Sequence, residues 1–421
     1  MIKKQEPYQK ILNIALEHAQ EMFHEPKGLL KHPFVSPGGP YSQTLWDWDS
    51  FWASTSMLGI AKLTDNQEFF SKVLVYAKGA LLNLFEYQAE DGSVPILLSD
   101  DDTDWFDSTT DPKTNMAKPV LGQYAHLLDQ HDALDRDEAS SLVSQLEKYY
   151  ACWKQRYQHE KTGLYLWAND IAIGVDDDPA TWGRPPFSSA SIFLNSLLYQ
   201  DLLSAVELAQ NHSDTRLAEA FSKEASALKE SINEFCWDPK DGLYYSVDVQ
   251  CTQNLSDHRH FSTLNCNLTP FWHCLPLKIA SWSSFTPLWC GLASNEQAEI
   301  MVHKHLTDTG KFWTEYGVRS LSAEEKMYSP DVSRGNPSNW LGPIWIIVNY
   351  FIWKGLESYD YGDLADQLAD NINKLLADDY ERNGLLHEYY NPETGIAVCG
   401  AGFWNWNLLA SLMKRRGVDE Q

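Results

Sequence analysis

Residues 188–210 read Ser-Ser-Ala-Ser-Ile-Phe-Leu-Asn-Ser-Leu-Leu-Tyr-Gln-Asp-Leu-Leu-Ser-Ala-Val-Glu-Leu-Ala-Gln. The spacing is helical, but Ile192, Phe193, Leu197, Leu198, Leu202, Leu203, Val206 and Leu208 spread beyond a single face. A helix that is apolar nearly all round lies between other helices rather than on a surface. Outward from it, the 3.6-residue period predicts further helices near 6–24, 47–63, 67–88, 114–130, 137–157, 214–236, 294–306, 339–356, 361–379 and 401–415. Strand-like alternation is scarce. An all-α chain of eleven or twelve helices, linked alternately by short turns and long loops, suits a closed barrel of paired helices.

The loops hold the unusual residues. Segments 25–46, 90–113, 159–187, 238–293, 307–338 and 380–400 carry much of the Trp, Gly, Pro, Asn and Asp. Loops longer than about 15 residues are usually functional in compact domains, so these are expected to gather at one end of the barrel and form a pocket. No composition shift or linker divides the chain, and residues 1–421 are read as one domain.

The formal net charge is -25, from 58 acidic and 33 basic residues. Such a balance argues against nucleic acid or an anionic membrane as partner, since either requires a basic face. The N-terminus lacks the apolar stretch of a secretory signal, and no run approaches the roughly 18 apolar residues of a membrane span. The expected location is the cytoplasm. Seven cysteines without a Cys-x-x-Cys pair indicate neither a disulfide framework nor a structural zinc site. Asp100, Asp102 and Asp104 alternate like early calcium-loop ligands, but Trp105 stands where that loop needs glycine. His258 and His260 lack a convincing third ligand. No metal and no cofactor are expected, and nucleotide-binding glycine motifs are absent. Nothing in the sequence indicates an oligomeric state.

Residues 41–52, Tyr-Ser-Gln-Thr-Leu-Trp-Asp-Trp-Asp-Ser-Phe-Trp, suit a sugar. Indole faces give a pyranose a flat apolar platform, and carboxylates accept paired hydrogen bonds from vicinal hydroxyls. Trp46, Trp48, Asp47 and Asp49 are the starting candidates. Tyr41, Trp182, Tyr244, Tyr245, Trp340, Trp345 and Trp404 either stack on sugar or fill the inner helical layer. Gln123 either donates to a sugar hydroxyl or caps its helix.

Two acidic loops could do chemistry. The run Asp176-Asp177-Asp178 cannot ionise fully if one member is enclosed, because burial and like charge both raise a carboxyl pKa. A general acid needs that shift, although a solvated turn before Pro179 would also explain the run. In Gly384-Leu-Leu-His-Glu-Tyr-Tyr-Asn-Pro-Glu-Thr-Gly395, Glu388 sits in an apolar, aromatic setting, whereas Glu393 falls in the turn. Glycoside hydrolysis divides labour in this way between a protonated and an ionised carboxyl.

Four segments in order resemble glycoside hydrolase family 63. Trp46-Asp-Trp-Asp-Ser-Phe51 resembles its N-terminal Trp-Asp signature, and Gly174-Val-Asp-Asp-Asp-Pro179 its acid loop. Asn339-Trp-Leu-Gly-Pro-Ile-Trp-Ile-Ile-Val-Asn349, with Gly342 at its Gly-Pro step, resembles the Tyr-Trp-Arg-Gly-Pro helix start. Glu388-Tyr-Tyr-Asn-Pro-Glu-Thr-Gly395 resembles the base-bearing loop. The resemblance implies an (α/α)6 barrel and inverting hydrolysis of a small α-glycoside, with Asp176 as acid, Glu388 as base and Asp49 near the glycone. Leu341 replaces the family's arginine, for which Arg334 in the preceding loop is the candidate substitute. The chain's length resembles the compact branch acting on mannosylglycerate and glucosylglycerate. Their carboxylate calls for a cation, for which Lys118 is the first candidate and Arg184 the second. Alternatives are a neutral α-glucosidase or trehalase-like activity, a sugar isomerase, or a non-catalytic sugar binder on the same barrel.

Overall fold

The computed structural model describes residues 2–101, 114–252, 270–331 and 337–416. Arg334, Asp102, Asp104, His258 and His260 lie outside that set. The described chain is mostly helical, with α1 (Ile2–His18), α2 (Asp47–Leu63), α3 (Gln67–Glu86), α4 (Leu121–Asp129), α5 (Arg136–Tyr157) and α6 (Ile192–Asn211) in its first half. There follow α7 (Thr215–Phe235), α8 (Thr286–Trp289), α9 (Asn295–Met301), α10 (Ile346–Ser358), α11 (Gly362–Asn383) and a 3-10 helix over Asn405–Leu412. The strands are pairs and one triplet of two- or three-residue segments that pin loops to one another.

Contacts between helices close a circuit. They run from α2 to α4, α6, α8 and α10, on to the 405–412 helix, and back to α2. The alternate helices pack outside it, with α3 against α2, α7 against α6 and α11 against α10. Composition explains the two layers. Helix α6 buries 14 of its 20 residues and α10 buries 10 of its 13, including all of Ile346-Ile-Val-Asn-Tyr-Phe-Ile-Trp353. Helix α7 buries only the stripe Leu217, Ala218, Phe221, Ala225, Leu228 and Ile232, leaving its other face polar.

Helix ends follow local chemistry. Asp135 and Glu138 form a capping box at α5, as do Ser294 and Gln297 at α9. Gly384, left-handed, stops α11. Two helices begin later than the apolar period suggests, for the same reason. The residue before a proline is driven out of the helical region, so Pro119 delays α4 to Leu121 and Pro343 delays α10 to Ile346. The delays leave Lys118 and Trp340 in lead-ins ahead of the helices rather than within them.

Among the described residues, no helix is long and apolar enough to cross a membrane. Nor does any group of three or more His, Cys, Asp and Glu side chains there form a set suited to a metal ion.

Candidate active site

The inner helices start at a common end. Trp46, Trp48 and Asp49 come from the start of α2, Lys118 from the lead-in to α4, and Ala172, Gly174 and Asp176 from the loop before α6. Ser338 and Trp340 precede α10, Glu388 lies between α11 and the 405–412 helix, and Phe403 and Trp406 lie at that helix's start. Together with Pro37 and Tyr41 they line a pocket of about 220 Å³. Pockets for drug-sized ligands run to ~300–1,000 Å³, so this one fits something nearer a single sugar ring.

Its walls are aromatic. Trp340 lies flat on Trp345 with ring centroids 4.0 Å apart, and Trp406 meets Trp48 and Phe403 at 5.6 and 4.7 Å. The glycines beside them are required by shape. A Cβ on Gly174, which has φ +83°, would come within 2.7 Å of the Trp48 ring. One on Gly400, at φ +73°, would come within 2.4 Å of Glu388 Cβ.

The structure separates the three consecutive aspartates. Asp178 is buried and caps its own turn, accepting from the Ala180 amide at 3.0 Å. Asp177 is buried and accepts from the Trp340 amide at 2.6 Å, tying this loop to the aromatic wall. Only Asp176 of the three lines the pocket.

Glu388 is 8% exposed, and its carboxyl is pushed up to about 7, first by burial and then by the charge of Asp176. The charge of Asp176 therefore reaches Glu388 across the pocket that both line. Asp49 is pushed up to about 8 by burial, with Lys118 opposing and Asp47, Glu388 and Asp176 adding to the rise. It accepts from Asn405 Nδ2 at 2.5 Å. Tyr41 feels the same group of acids, its hydroxyl pushed up to about 12 by burial and then by Glu388, Asp176 and Asp49.

Lys118 lines the pocket but is spoken for. Its Nζ lies 2.8 Å from Asp47 Oδ1 and donates to the Ala172 carbonyl at 3.2 Å, and its amide donates to Asp47 Oδ2 at 2.6 Å. Its ammonium also sits 5.7 Å from the Trp48 ring centre.

Tyr244, Tyr245 and Trp345 are buried away from the pocket lining, and five further candidates also lie away from it. Gln123 is buried within α4, its amide donating to Asp201 and its side chain turned back to Pro119. Trp182 is 57% exposed, and Arg184 pairs with Asp248. Gly342 packs under the Tyr328 ring, its amide donating to Ser320 Oγ at 3.1 Å. Trp404 points outward, stacking on His18 of α1 at 4.1 Å and donating to Glu21. The lining residues in its segment are Phe403 and Trp406. The apolar period over 401–415 predicts an α-helix there, whereas the structure has a 3-10 helix from Asn405 to Leu412 with Phe403 ahead of it.

Several of these carboxyls carry a pH signature. Asp49 at about 8, Asp201 and Glu388 at about 7, and Asp177 and Asp178 at about 6 all keep protons in the fold that an unfolded carboxyl releases near pH 4. Their contribution to stability is complete below the unfolded value and is lost as pH rises from about 4 to about 8. The unfolding temperature is therefore expected to be higher at pH 5.5 than at pH 8, with Asp49→Asn flattening the upper part of the slope. A scan in which it rises across that interval would contradict the assignment.

Residues 42–407 match the model of the mannosylglycerate hydrolase MGH1-like glycoside hydrolase domain. The chain belongs to this glycoside hydrolase family. It is 32% identical over 133 residues to mannosylglycerate hydrolase MGH1 of Selaginella moellendorffii, a match spanning 31% of this chain and 24% of the plant protein. It therefore spans about a quarter of the length of that relative. A mannosylglycerate hydrolase of Thermus thermophilus is 24% identical over 323 residues, 74% of this chain and 68% of that protein. In three dimensions, the crystal structure of a GH63 mannosylglycerate hydrolase of Thermus thermophilus in complex with glucose superposes with a TM-score of 0.67 at 19% identity. That superposition covers 96% of this chain and 99% of the other, and shows a shared fold.

Proposed function

We propose that this protein is an inverting hydrolase of a small α-glycoside, built on an (α/α)6 barrel, with α-mannosylglycerate or α-glucosylglycerate as substrate. The observation that carries the reading is the pairing of Asp176 and Glu388 in one small pocket walled by Tyr41, Trp46, Trp48, Trp340 and Trp406. The closed circuit of six inner helical elements supports the barrel, and the relatives named for mannosylglycerate hydrolysis support the substrate class.

In this reading the indoles stack on the sugar's C–H faces while protonated Asp49 and its partner Asn405 meet hydroxyls at the pocket floor. Asp176, in its protonated form, protonates the glycosidic oxygen as the bond to the anomeric carbon breaks. Ionised Glu388 removes a proton from a water that attacks the opposite face, and the freed sugar keeps the inverted configuration. Glu388's elevated value is compatible with a base, because the proton that Asp176 must hold is the one that relieves Glu388 of its neighbour's charge.

A neutral disaccharide is the second reading, favoured by one observation. Lys118 is already paired with Asp47 and Arg184 with Asp248, so neither presents an unpaired charge to a glycerate carboxylate.

Time-resolved proton NMR with glucosylglycerate, mannosylglycerate and trehalose in parallel tests all of this. Initial release of β-sugar from a glycerate glycoside is the expected result. Initial α-sugar would defeat the inverting course, and cleavage of trehalose alone would establish the neutral-disaccharide reading instead.

A further inference from the structure

Behind Glu388 stands a carboxylate that the proposed chemistry leaves unused. Asp379 lies in the last two turns of α11, 1% exposed, where a lone carboxylate would be costly. It is fully engaged. Its Oδ2 accepts from Tyr390 Oη at 2.9 Å and lies 2.9 Å from His387 Nδ1, and its Oδ1 accepts from Asn383 Nδ2 at 2.7 Å.

Both residues that it holds through Oδ2 bracket Glu388 in sequence. The His387 amide donates to Tyr390 Oη at 3.1 Å, and the His387 carbonyl accepts from Asn407 Nδ2 at 2.7 Å. On the other side, Tyr390 exchanges both backbone hydrogen bonds with Ile344, at 2.8 and 3.0 Å. The Glu388 amide itself donates to the Cys399 carbonyl at 2.9 Å. The backbone on both sides of Glu388 is thus tied to the lead-in to α10, to the strand at Cys399 or to the 405–412 helix, with Asp379 of α11 as the common side-chain anchor. The 405–412 helix holds Asp49 and the backbone just before Glu388, since Asn405 donates to Asp49 two residues before Asn407 holds the His387 carbonyl.

We infer that Asp379 is a positioning residue for Glu388, acting through His387 and Tyr390 to fix where the Glu388 carboxylate stands relative to the attacked carbon. This rests on the reading of Glu388 as general base. A general base must be within hydrogen-bond reach of the proton it removes, and displacement by about 1 Å can cost on the order of 100-fold in rate. A buried ring-and-carboxylate cluster outside the pocket lining has that effect only through geometry.

Glycosyl fluorides separate the roles, because fluoride departs without a proton and so bypasses the acid while still needing the base. The full chain and its variants are assayed on α-glucosyl fluoride and α-mannosyl fluoride. Asp379→Asn keeps shape but loses the charge that strengthens these bonds and turns an NH2 group either on the Asn383 amide or on the Tyr390 and His387 donors, and its kcat on the fluoride is expected to fall about 100-fold with KM within about twofold. Tyr390→Phe, which keeps the ring and loses one donor, is the milder companion should Asp379→Asn not fold, with an expected loss of about tenfold in kcat. Unchanged kcat per folded molecule in either variant overturns the inference, even if the unfolding temperature falls, since it leaves Asp379 a purely structural role. Loss on a glycoside with fluoride hydrolysis intact also overturns it, because the defect would then lie on the acid's side. Glu388→Gln is run alongside; undiminished fluoride hydrolysis there removes the reading of Glu388 as base, a failure distinct from that of Asp379.

Discussion

Glu388→Gln is expected to abolish hydrolysis of both glycosides and glycosyl fluorides, by roughly 10³-fold or more in kcat, while leaving the fold intact. Asp176→Asn is expected to lose glycoside hydrolysis by a similar ~10³-fold factor yet stay within about tenfold of the wild type on a fluoride, whose departure needs no acid. The asymmetry follows from placement. Both carboxyls line one pocket, but Glu388 is buried and raised by Asp176, whereas Asp177 and Asp178, which share the acidic run, are consumed by the Trp340 amide and by a capped turn. The pH profile carries the same information. With Glu388 pushed up to about 7 by burial and then by the charge of Asp176, kcat/KM is expected to rise as pH increases toward 7, where the base ionises. Steady-state kinetics of the two variants on the two substrate types decides the matter: a fluoride-competent Glu388→Gln together with a fluoride-dead Asp176→Asn would exchange the roles.

The wild-type profile also bears on Asp49. A third carboxyl in the pocket, pushed up to about 8, stays protonated over the range in which the other two work. It can therefore donate to a hydroxyl without adding another negative charge beside Glu388.

What the sequence revealed and what it concealed divide along physical lines. Helices with a strong apolar period, such as α6, α7 and α10, were legible because burial dictates composition over many turns. Pocket members at motif positions were legible too: Tyr41, Trp46, Trp48, Asp49, Lys118, Asp176, Trp340 and Glu388 all line it. Rotational phase over short spans was not. Trp404 and Trp406 are both buried indoles two residues apart and so face opposite ways, and composition alone does not show which of them faces inward. Charge pairing was equally hidden. Lys118 and Asp47 are 71 residues apart, and only the fold shows that the lysine chosen for a substrate carboxylate already holds one of the protein's own. Asp379 and Asn405 stand in segments that look like ordinary helix surface and turn, so their ties to His387 and Asp49 could not be read from composition.

Asp47→Ala should cost the most stability of any single change at this end of the helical circuit. Asp47 is fully buried at the first turn of α2, where the helix dipole favours a negative charge. Its two oxygens take the Lys118 ammonium and the Lys118 amide. Removing the carboxylate leaves a buried ammonium with the Ala172 carbonyl, the Trp48 ring and the Asp49 carboxyl in place of its direct partner. Breaking a buried pair from one side costs about 3–5 kcal/mol, which for a chain of this size lowers the unfolding temperature by about 3–6 °C. Lys118→Met should cost less, because the stranded carboxyl can take up a proton and still accepts from the amide of residue 118. The double replacement Asp47→Asn with Lys118→Met should recover part of the loss, as apolar substitution of buried pairs often does. Thermal unfolding of the three variants tests the pair, and a loss below about 1 kcal/mol in Asp47→Ala, the scale of an exposed ion pair, would refute its buried character. The same variants test specificity, because the Lys118 ammonium also holds the Ala172 carbonyl and with it the loop that presents Asp176. If Lys118 serves only that scaffold, Lys118→Met will lower kcat alike on glycerate glycosides and on trehalose. A rise in KM confined to the glycerate glycosides would instead show the ammonium shared between Asp47 and a substrate carboxylate.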